Sequence, residues 1–145
     1  EILQRLDLRI CSIHSKFGLP REQQTERIIR AMDNPYFNIL AHPTGRRIGE
    51  RPPYAVDMER VMAAAVERGC YLEINAHPER LDLNDVYAKM AKEMGLKLAI
   101  STDAHNVNGL RHMRFGVGQA RRGWLEAGDV LNTRPWAELK ALMER

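Results

Sequence analysis

The stretch A99-I-S-T-D-A-H105 is a short apolar run that ends in an aspartate and a histidine two residues apart. Similar runs end in histidine at I10-C-S-I-H14 and at N38-I-L-A-H42. A short apolar run of this kind is typical of a buried strand. Three such runs therefore end in histidine, although the whole chain contains only five histidines.

Predicted strands and helices alternate along the chain around these runs. The strands are predicted at residues 6–13, 37–41, 70–75 and 96–101. Helices are predicted between them, at residues 20–32, 58–68 and 83–94. Alternation at about 25 to 35 residues per unit indicates right-handed crossovers and a parallel sheet. The predicted fold class is α/β, with four parallel β/α units that form half of a (β/α) barrel or a small open sheet.

Capping residues give the predicted helix boundaries. Asp57 and Asp82 are placed to cap the second and third helices. Downstream, F115-G-V-G-Q-A-R-R-G-W124 is basic and broken by glycines, and Thr133 is predicted to cap a terminal helix. Trp124 and Trp136 are expected to be packing residues.

The composition is that of a globular protein about the size of one domain, with 145 residues, 44% hydrophobic and 28% charged. No apolar run approaches the length of a membrane span, so a cytoplasmic location without membrane contact is expected. Cys11 and Cys70 are expected to be buried thiols. The net charge of +3 is compatible with a polyanionic partner but does not require one. Because the chain begins at Glu1, it is expected to be a piece of a longer protein.

Four side chains at the predicted strand ends suggest a metal site. The carboxyl ends of parallel strands open into one common mouth. Neutral imidazole and carboxylate groups are natural ligands of zinc and manganese, and a site needs several of them from separate elements. The predicted metal ligands are His14, His42, Asp103 and His105.

Glu73 and Asn75 point the same way along the third strand, toward the same mouth. Glu73 is interpreted as a metal ligand, as an acid that holds a histidine in one tautomer, or as a buried structural acid. His77 and His112 are expected to be solvated.

Three arginines on loops near the predicted mouth are candidates for binding phosphate. Arg46 and Arg47 follow H42-P-T-G45, and Arg80 follows H77-P-E79. The guanidinium fork suits phosphate oxygens, so an anionic substrate is expected.

Longer segments of the chain resemble a known family. The segments are S12-I-H14-S, I39-L-A-H42-P-T-G-R46, L72-E-I-N75, I100-S-T-D-A-H105 and M113-R-F-G-V-G-Q-A-R-R-G-W-L125. Together they resemble the C-terminal half of the PHP (polymerase and histidinol phosphatase) domain, in the form attached to bacterial family X DNA polymerases. Residues 1–145 are accordingly predicted to be a partial PHP phosphoesterase domain, without the upstream polymerase domains and the N-terminal half of the barrel.

The resemblance implies a distorted (β/α)7 barrel whose mouth holds up to three divalent metal ions. It implies phosphodiester hydrolysis, in the polymerase-linked branch as a 3′-5′ exonuclease acting on DNA in repair. By position, His14 and His42 match two ligands of one metal, Asp103 a ligand of a second and His105 a ligand of the third. Glu73 and Asn75 match residues that hold the ligands in place.

The family's first H-x-H motif lies upstream of residue 1, so no metal would have all its ligands from this chain. The chain alone is therefore expected to be almost inactive, marginally stable and prone to self-association. Its other expected partners are DNA and the upstream polymerase domains of the same parent chain. Two alternatives stay open, a phosphomonoesterase of the histidinol phosphatase type and a non-catalytic module that braces a polymerase.

Overall fold

The computed structural model describes residues 2–144, which form one small sheet surrounded by helices. The strands are β1 (Ile10–Cys11), β2 (Ile39–Leu40), β3 (Tyr71–Asn75) and β4 (Leu98–Ser101). The α-helices are α1 (Arg21–Met32), α2 (Met58–Glu67), α3 (Asp85–Glu93), α4 (Met113–Arg122) and α5 (Trp136–Met143). A 3₁₀ segment (Val107–His112) leads directly into α4.

All four strands are parallel and lie in chain order, β1-β2-β3-β4. Helices connect β1 to β2, β2 to β3 and β3 to β4, which is the connection that parallel neighbours require. The α/β prediction with four parallel units is confirmed. Within residues 2–144 the strands form an open sheet, so closure into a barrel is not confirmed.

The two faces of the sheet are covered by different parts of the chain. The larger core lies against α1 to α4 and includes the fully buried Leu72 and Leu98. On the opposite face, Leu131 and Met143 from the C-terminal segment pack against Ile39. Within the described part of the chain, no helix is long and apolar enough to cross a membrane.

The first two strands are shorter than predicted. Before the start of β1, the backbone N–H of Arg9 donates to the side chain of Asn38 (3.0 Å). A side chain therefore takes the place of a backbone acceptor on β2 at this point. Ile10 is 52% exposed, because among the described residues β1 has a strand neighbour on one side only. A strand at a sheet edge has fewer partners to extend it.

The two predicted caps of the inner helices have different outcomes. The prediction for Asp57 is confirmed, because its side chain accepts the N–H of Arg60 at the start of α2 (3.2 Å). The prediction for Asp82 is wrong. Asn84 caps α3 by accepting the N–H of Tyr87 (2.9 Å), whereas Asp82 is fully buried.

Two C-terminal predictions are wrong, and the glycine-containing stretch, for which no element was predicted, is mostly helical as α4. Thr133 does not cap α5, because its hydroxyl donates to the carbonyls of Ala127 and Val130 (2.8 Å each) and α5 begins after Pro135. The two tryptophans are 75% (Trp124) and 53% (Trp136) exposed, so the packing role expected for them is wrong.

Gly116 allows α4 to lie directly on the sheet, and we expect its replacement by alanine to destabilise the protein. A Cβ atom at this position would lie 2.6 Å from Ile100 Cγ2 and 2.7 Å from Ala76 Cβ. Overpacking of this kind typically costs about 1–3 kcal/mol. Gly118 on the same helix has open space, so Gly118→Ala should stabilise the protein by about 0.5–1 kcal/mol through helix propensity. Urea unfolding of both variants measures the two changes in unfolding free energy. Equal changes would contradict the close packing inferred at Gly116.

Candidate active site

The mouth is a cavity of about 440 Å³ at the carboxyl ends of the strands. The fold brings to it every predicted metal ligand, the two polar residues of the E-I-N segment and one of the three arginines. Two serines and a threonine, which the sequence analysis did not select, also line it. The polar lining residues are Ser12, His14, His42, Glu73, Asn75, Arg80, Ser101, Thr102, Asp103 and His105.

His14 and His42 lie side by side at the ends of neighbouring strands, with 5.4 Å between ring centroids. His14 is exposed, and its Nε2 lies 3.1 Å from the hydroxyl of Ser12. His42 is buried, and its Nδ1 has no hydrogen-bond partner among residues 2–144. Burial, together with the positive charge of Arg80, lowers the pKa of His42 to about 4. The imidazole of His42 is therefore neutral near pH 7, in the form that binds metal.

Glu73 holds the backbone of His42 rather than its imidazole. His42 has a left-handed backbone (φ 31°), and its N–H donates to Glu73 Oε2 at 2.7 Å. The same carboxylate accepts the hydroxyl of Ser101 and the amide of Asn75 (3.3 Å). Burial raises the pKa of Glu73, although these three hydrogen bonds act in the opposite direction.

Asp103 and His105 form the part of the mouth that follows β4. Asp103 also has a left-handed backbone (φ 52°), and its carboxylate pairs with Arg80 Nε at 3.2 Å. Burial would raise the pKa of Asp103, but the hydrogen bond from Asn75 and the charge of Arg80 outweigh burial and lower it. His105 Nδ1 lies 2.7 Å from the carbonyl oxygen of Asp103. When Nδ1–H donates to that oxygen, Nε2 is left unprotonated and able to bind a metal.

These donors fit a divalent metal in kind but not in number. The mouth offers imidazole nitrogens and a carboxylate, and the unpartnered Nδ1 of buried His42 is the atom that a metal would satisfy. Within residues 2–144, however, no group of three or more His, Cys, Asp or Glu side chains is arranged to hold one ion. A stable ion would need at least one ligand from outside this set.

Of the three predicted phosphate-binding arginines, only Arg80 lines the mouth. Its Nη1 is buried without a partner among the described residues, so it can donate to a bound anion. Arg46 donates instead to the carbonyl oxygens of Arg80 (2.7 Å) and Leu81. Arg47 is paired with Glu50 of its own loop at 2.9 Å and with Glu79 of the loop after β3 at 2.8 Å.

His77 and His112 contact each other just outside the mouth. Their rings meet edge to face, with 4.9 Å between centroids, and both residues are half-buried. The expectation that they are solvated is therefore wrong. They lie far apart in sequence, so no local pattern could have indicated the contact.

Asp82 fixes the loop that follows His42. Its two carboxylate oxygens accept the N–H of Thr44 at 3.2 and 3.0 Å. Burial raises the pKa of Asp82 from an ordinary value of 3.8 to about 6.

The raised pKa of Asp82 predicts a pH dependence of stability. The folded protein binds this proton more tightly than the unfolded chain, so the contribution is present at low pH and lost as the pH rises from about 4 to about 6. A shift of this size corresponds to about 3 kcal/mol. We therefore expect the difference in unfolding free energy between wild type and Asp82→Asn to change by up to that amount over this range. A difference that stays constant with pH would contradict the assignment.

Comparison with known proteins gives relatives of two kinds. No family model matches the chain. The chain is 41% identical over all its 145 residues to the DNA polymerase/3′-5′ exonuclease PolX of Bacillus subtilis, of which it covers 25%. It is 39% identical over 113 residues, 72% of its length, to a probable phosphatase of Thermoanaerobacter, of which it covers 44%. A probable phosphatase of Shewanella is 30% identical over 160 aligned residues, which cover all of this chain and 58% of that protein.

Proposed function

We propose that this chain forms part of a metal-dependent site that hydrolyses phosphodiester bonds at DNA 3′ ends. The chain belongs to the PHP domain family, in the form found in bacterial family X DNA polymerases. The observation that carries this proposal is the convergence of His14, His42, Asp103 and His105 from separate strand ends on one cavity, together with Arg80. The relative from Bacillus subtilis, which its name describes as a 3′-5′ exonuclease, supports the choice of substrate.

The residues of the mouth have two roles in this proposal, metal binding and phosphate binding. A divalent ion, manganese or zinc, would supply Lewis acidity and positive charge for the phosphoryl oxygens. His14, neutral His42, Asp103 and His105 would hold such ions. The unpartnered Nη1 of Arg80 would donate to a phosphate oxygen.

The remaining ligands and partners are proposed to come from other parts of a longer protein. The chain spans only 25% to 58% of the relatives described above. The polymerase domains of such a protein and its DNA are the proposed partners. In isolation the chain is expected to self-associate through the outer edge of β1, where Ile10 is exposed. Light scattering after size exclusion tests this expectation, and a monomer at all concentrations would contradict it.

A second candidate is hydrolysis of a small phosphomonoester. It is supported by the relatives whose names describe them as probable phosphatases. The same residues would serve, because both reactions need positive charge at the phosphoryl oxygens. A non-catalytic module is a third candidate, supported by the shortage of ligands within residues 2–144.

One experiment separates the three candidates. The intact protein is incubated with a 5′-labelled oligonucleotide and, separately, with a small phosphomonoester, with manganese, with zinc and with EDTA. We expect metal-dependent shortening of the oligonucleotide from its 3′ end and little release of phosphate from the monoester. The reverse preference would establish the phosphatase, and no hydrolysis of either substrate with any metal would leave the non-catalytic module.

A further inference from the structure

We infer that an exposed face beside the mouth binds a single strand of nucleic acid and guides it toward the site. The choice of DNA as the bound strand rests on the proposed function. This strand face consists of six exposed side chains on the 3₁₀ segment and α4: Val107, Leu110, Arg111, Arg114, Val117 and Arg121. The 3₁₀ segment begins two residues after His105, so the strand face starts at the mouth and continues along α4.

The charge of this region differs from that of the rest of the chain. Residues 104–125 contain four arginines and no aspartate or glutamate. Their positive charge exceeds the net charge of +3 of the whole chain, so the remainder is slightly acidic. Basic side chains concentrated on one face are the electrostatic footprint of a polyanion.

The arginines of the strand face are also unpaired, whereas several others on the surface form ion pairs. Within residues 2–144, no ion pair joins Arg111, Arg114 or Arg121 to an acid, and the guanidinium of Arg114 lies over the ring of Phe115 (4.6 Å). By contrast, three arginines elsewhere on the surface are each paired with aspartate or glutamate. They are Arg21 in α1, Arg60 in α2 and Arg68 at the end of α2.

The packing of α4 leaves these arginines without a structural task. Gly116, Gln119 and Ala120 form the buried side of the helix, and Gly116 makes the close approach to the sheet. The arginines lie on the exposed side. Within α4, Gly116 therefore serves packing, whereas Arg114 and Arg121 stay available to a ligand.

Aliphatic side chains beside the arginines favour a single strand over a duplex. Val107 is 82% exposed, Leu110 60% and Val117 43%. A duplex offers such a face mainly phosphates, whereas an unpaired strand also offers the apolar faces of its bases. Beyond the end of α4, the exposed indole of Trp124 provides a ring on which a base can stack. An acidic protein would fit the charge, but it is the less suited occupant because regularly spaced phosphates can match arginines along a helix.

The test measures binding without hydrolysis. Fluorescence anisotropy is recorded for the intact protein with a labelled oligothymidylate of about 20 nucleotides, long enough to exceed the usual site size, in EDTA. Replacing Arg111, Arg114 and Arg121 together by alanine should weaken binding about 10- to 100-fold at moderate salt, and should lower the slope of log affinity against log salt by about 2. The matched control replaces the paired arginines Arg21, Arg60 and Arg68, which removes the same charge and should leave affinity nearly unchanged.

The outcomes distinguish this inference from the proposed function. Selective loss of affinity in the Arg111, Arg114 and Arg121 variant supports the strand face, whether or not the protein hydrolyses anything. Equal losses in both triple variants would overturn it, because binding would then follow net charge alone. Tighter binding of a duplex of the same length, or no binding of either nucleic acid by the wild type, would also overturn it, even where hydrolysis of a small phosphodiester is observed.

Discussion

Replacing Asp103 by asparagine is expected to lower metal-dependent hydrolysis by the intact protein at least 100-fold, on the order of 3 kcal/mol of transition-state stabilisation. Asp103 is the carboxylate of the mouth whose pKa is lowered, so it is ionised at neutral pH and available as a ligand. Asparagine keeps the size of the side chain but removes its charge. Elemental analysis should show less bound manganese or zinc, and His42→Ala should show the same loss.

The control for this prediction is Asp33→Asn. Asp33 caps the far end of α1, and its carboxylate pairs with Arg68 at 2.7 Å on the surface, so its replacement changes net charge equally without touching the mouth. Circular dichroism and thermal melting establish that the Asp103 variant is folded. A folded Asp103→Asn protein with full metal content and full activity would show that this carboxylate is not a ligand.

The second large effect is expected at Glu73, where alanine should destabilise the protein by about 3 kcal/mol and lower its melting temperature by about 10 °C. The carboxylate accepts the His42 N–H, the Ser101 hydroxyl and the Asn75 amide inside the protein. Alanine would remove the acceptor that these three donors share, and two of them, the N–H of His42 and the amide of Asn75, belong to buried residues. Buried donors that lose an acceptor are costly.

Glu73→Gln separates the hydrogen bonds from the charge. Glutamine keeps one acceptor oxygen and the shape of the side chain, so it should recover more than half of the stability lost in Glu73→Ala. Because the His42 backbone is then still held, metal content should also be largely retained. If glutamine and alanine destabilise equally, the stabilising role belongs to the charge of Glu73 rather than to its hydrogen bonds.

The sequence predicted the position of the mouth better than the detail around it. The placement of His14, His42 and Asp103 follows from one rule, because polar residues at the carboxyl ends of parallel strands must share one edge of the sheet. That rule needs only the order of elements, which alternating apolar runs indicate. The number of ligands that can reach one ion depends on distances between strands, which sequence spacing does not contain.

The wrong predictions concern side chains with distant partners. Asp82 has the residue type and position of a helix cap, but its carboxylate binds the N–H of Thr44 from another loop. The phosphate-binding role of Arg46 stays a prediction, although its guanidinium donates to the backbone carbonyl of Leu81. Residue type and sequence position suggest such roles, but contacts with distant parts of the chain determine which role a side chain has.

The left-handed backbones of His42 and Asp103 have a consequence for how these positions can vary. Neither residue is glycine, and a non-glycine residue in this region of backbone space is held at a cost of about 1 kcal/mol or more. Glycine would relax the backbone but would remove the imidazole or the carboxylate. A library selected only for thermal stability should therefore accumulate glycine or asparagine at both positions, whereas selection for hydrolysis should return histidine and aspartate. At these two positions, selection for stability and selection for activity would therefore favour different residues.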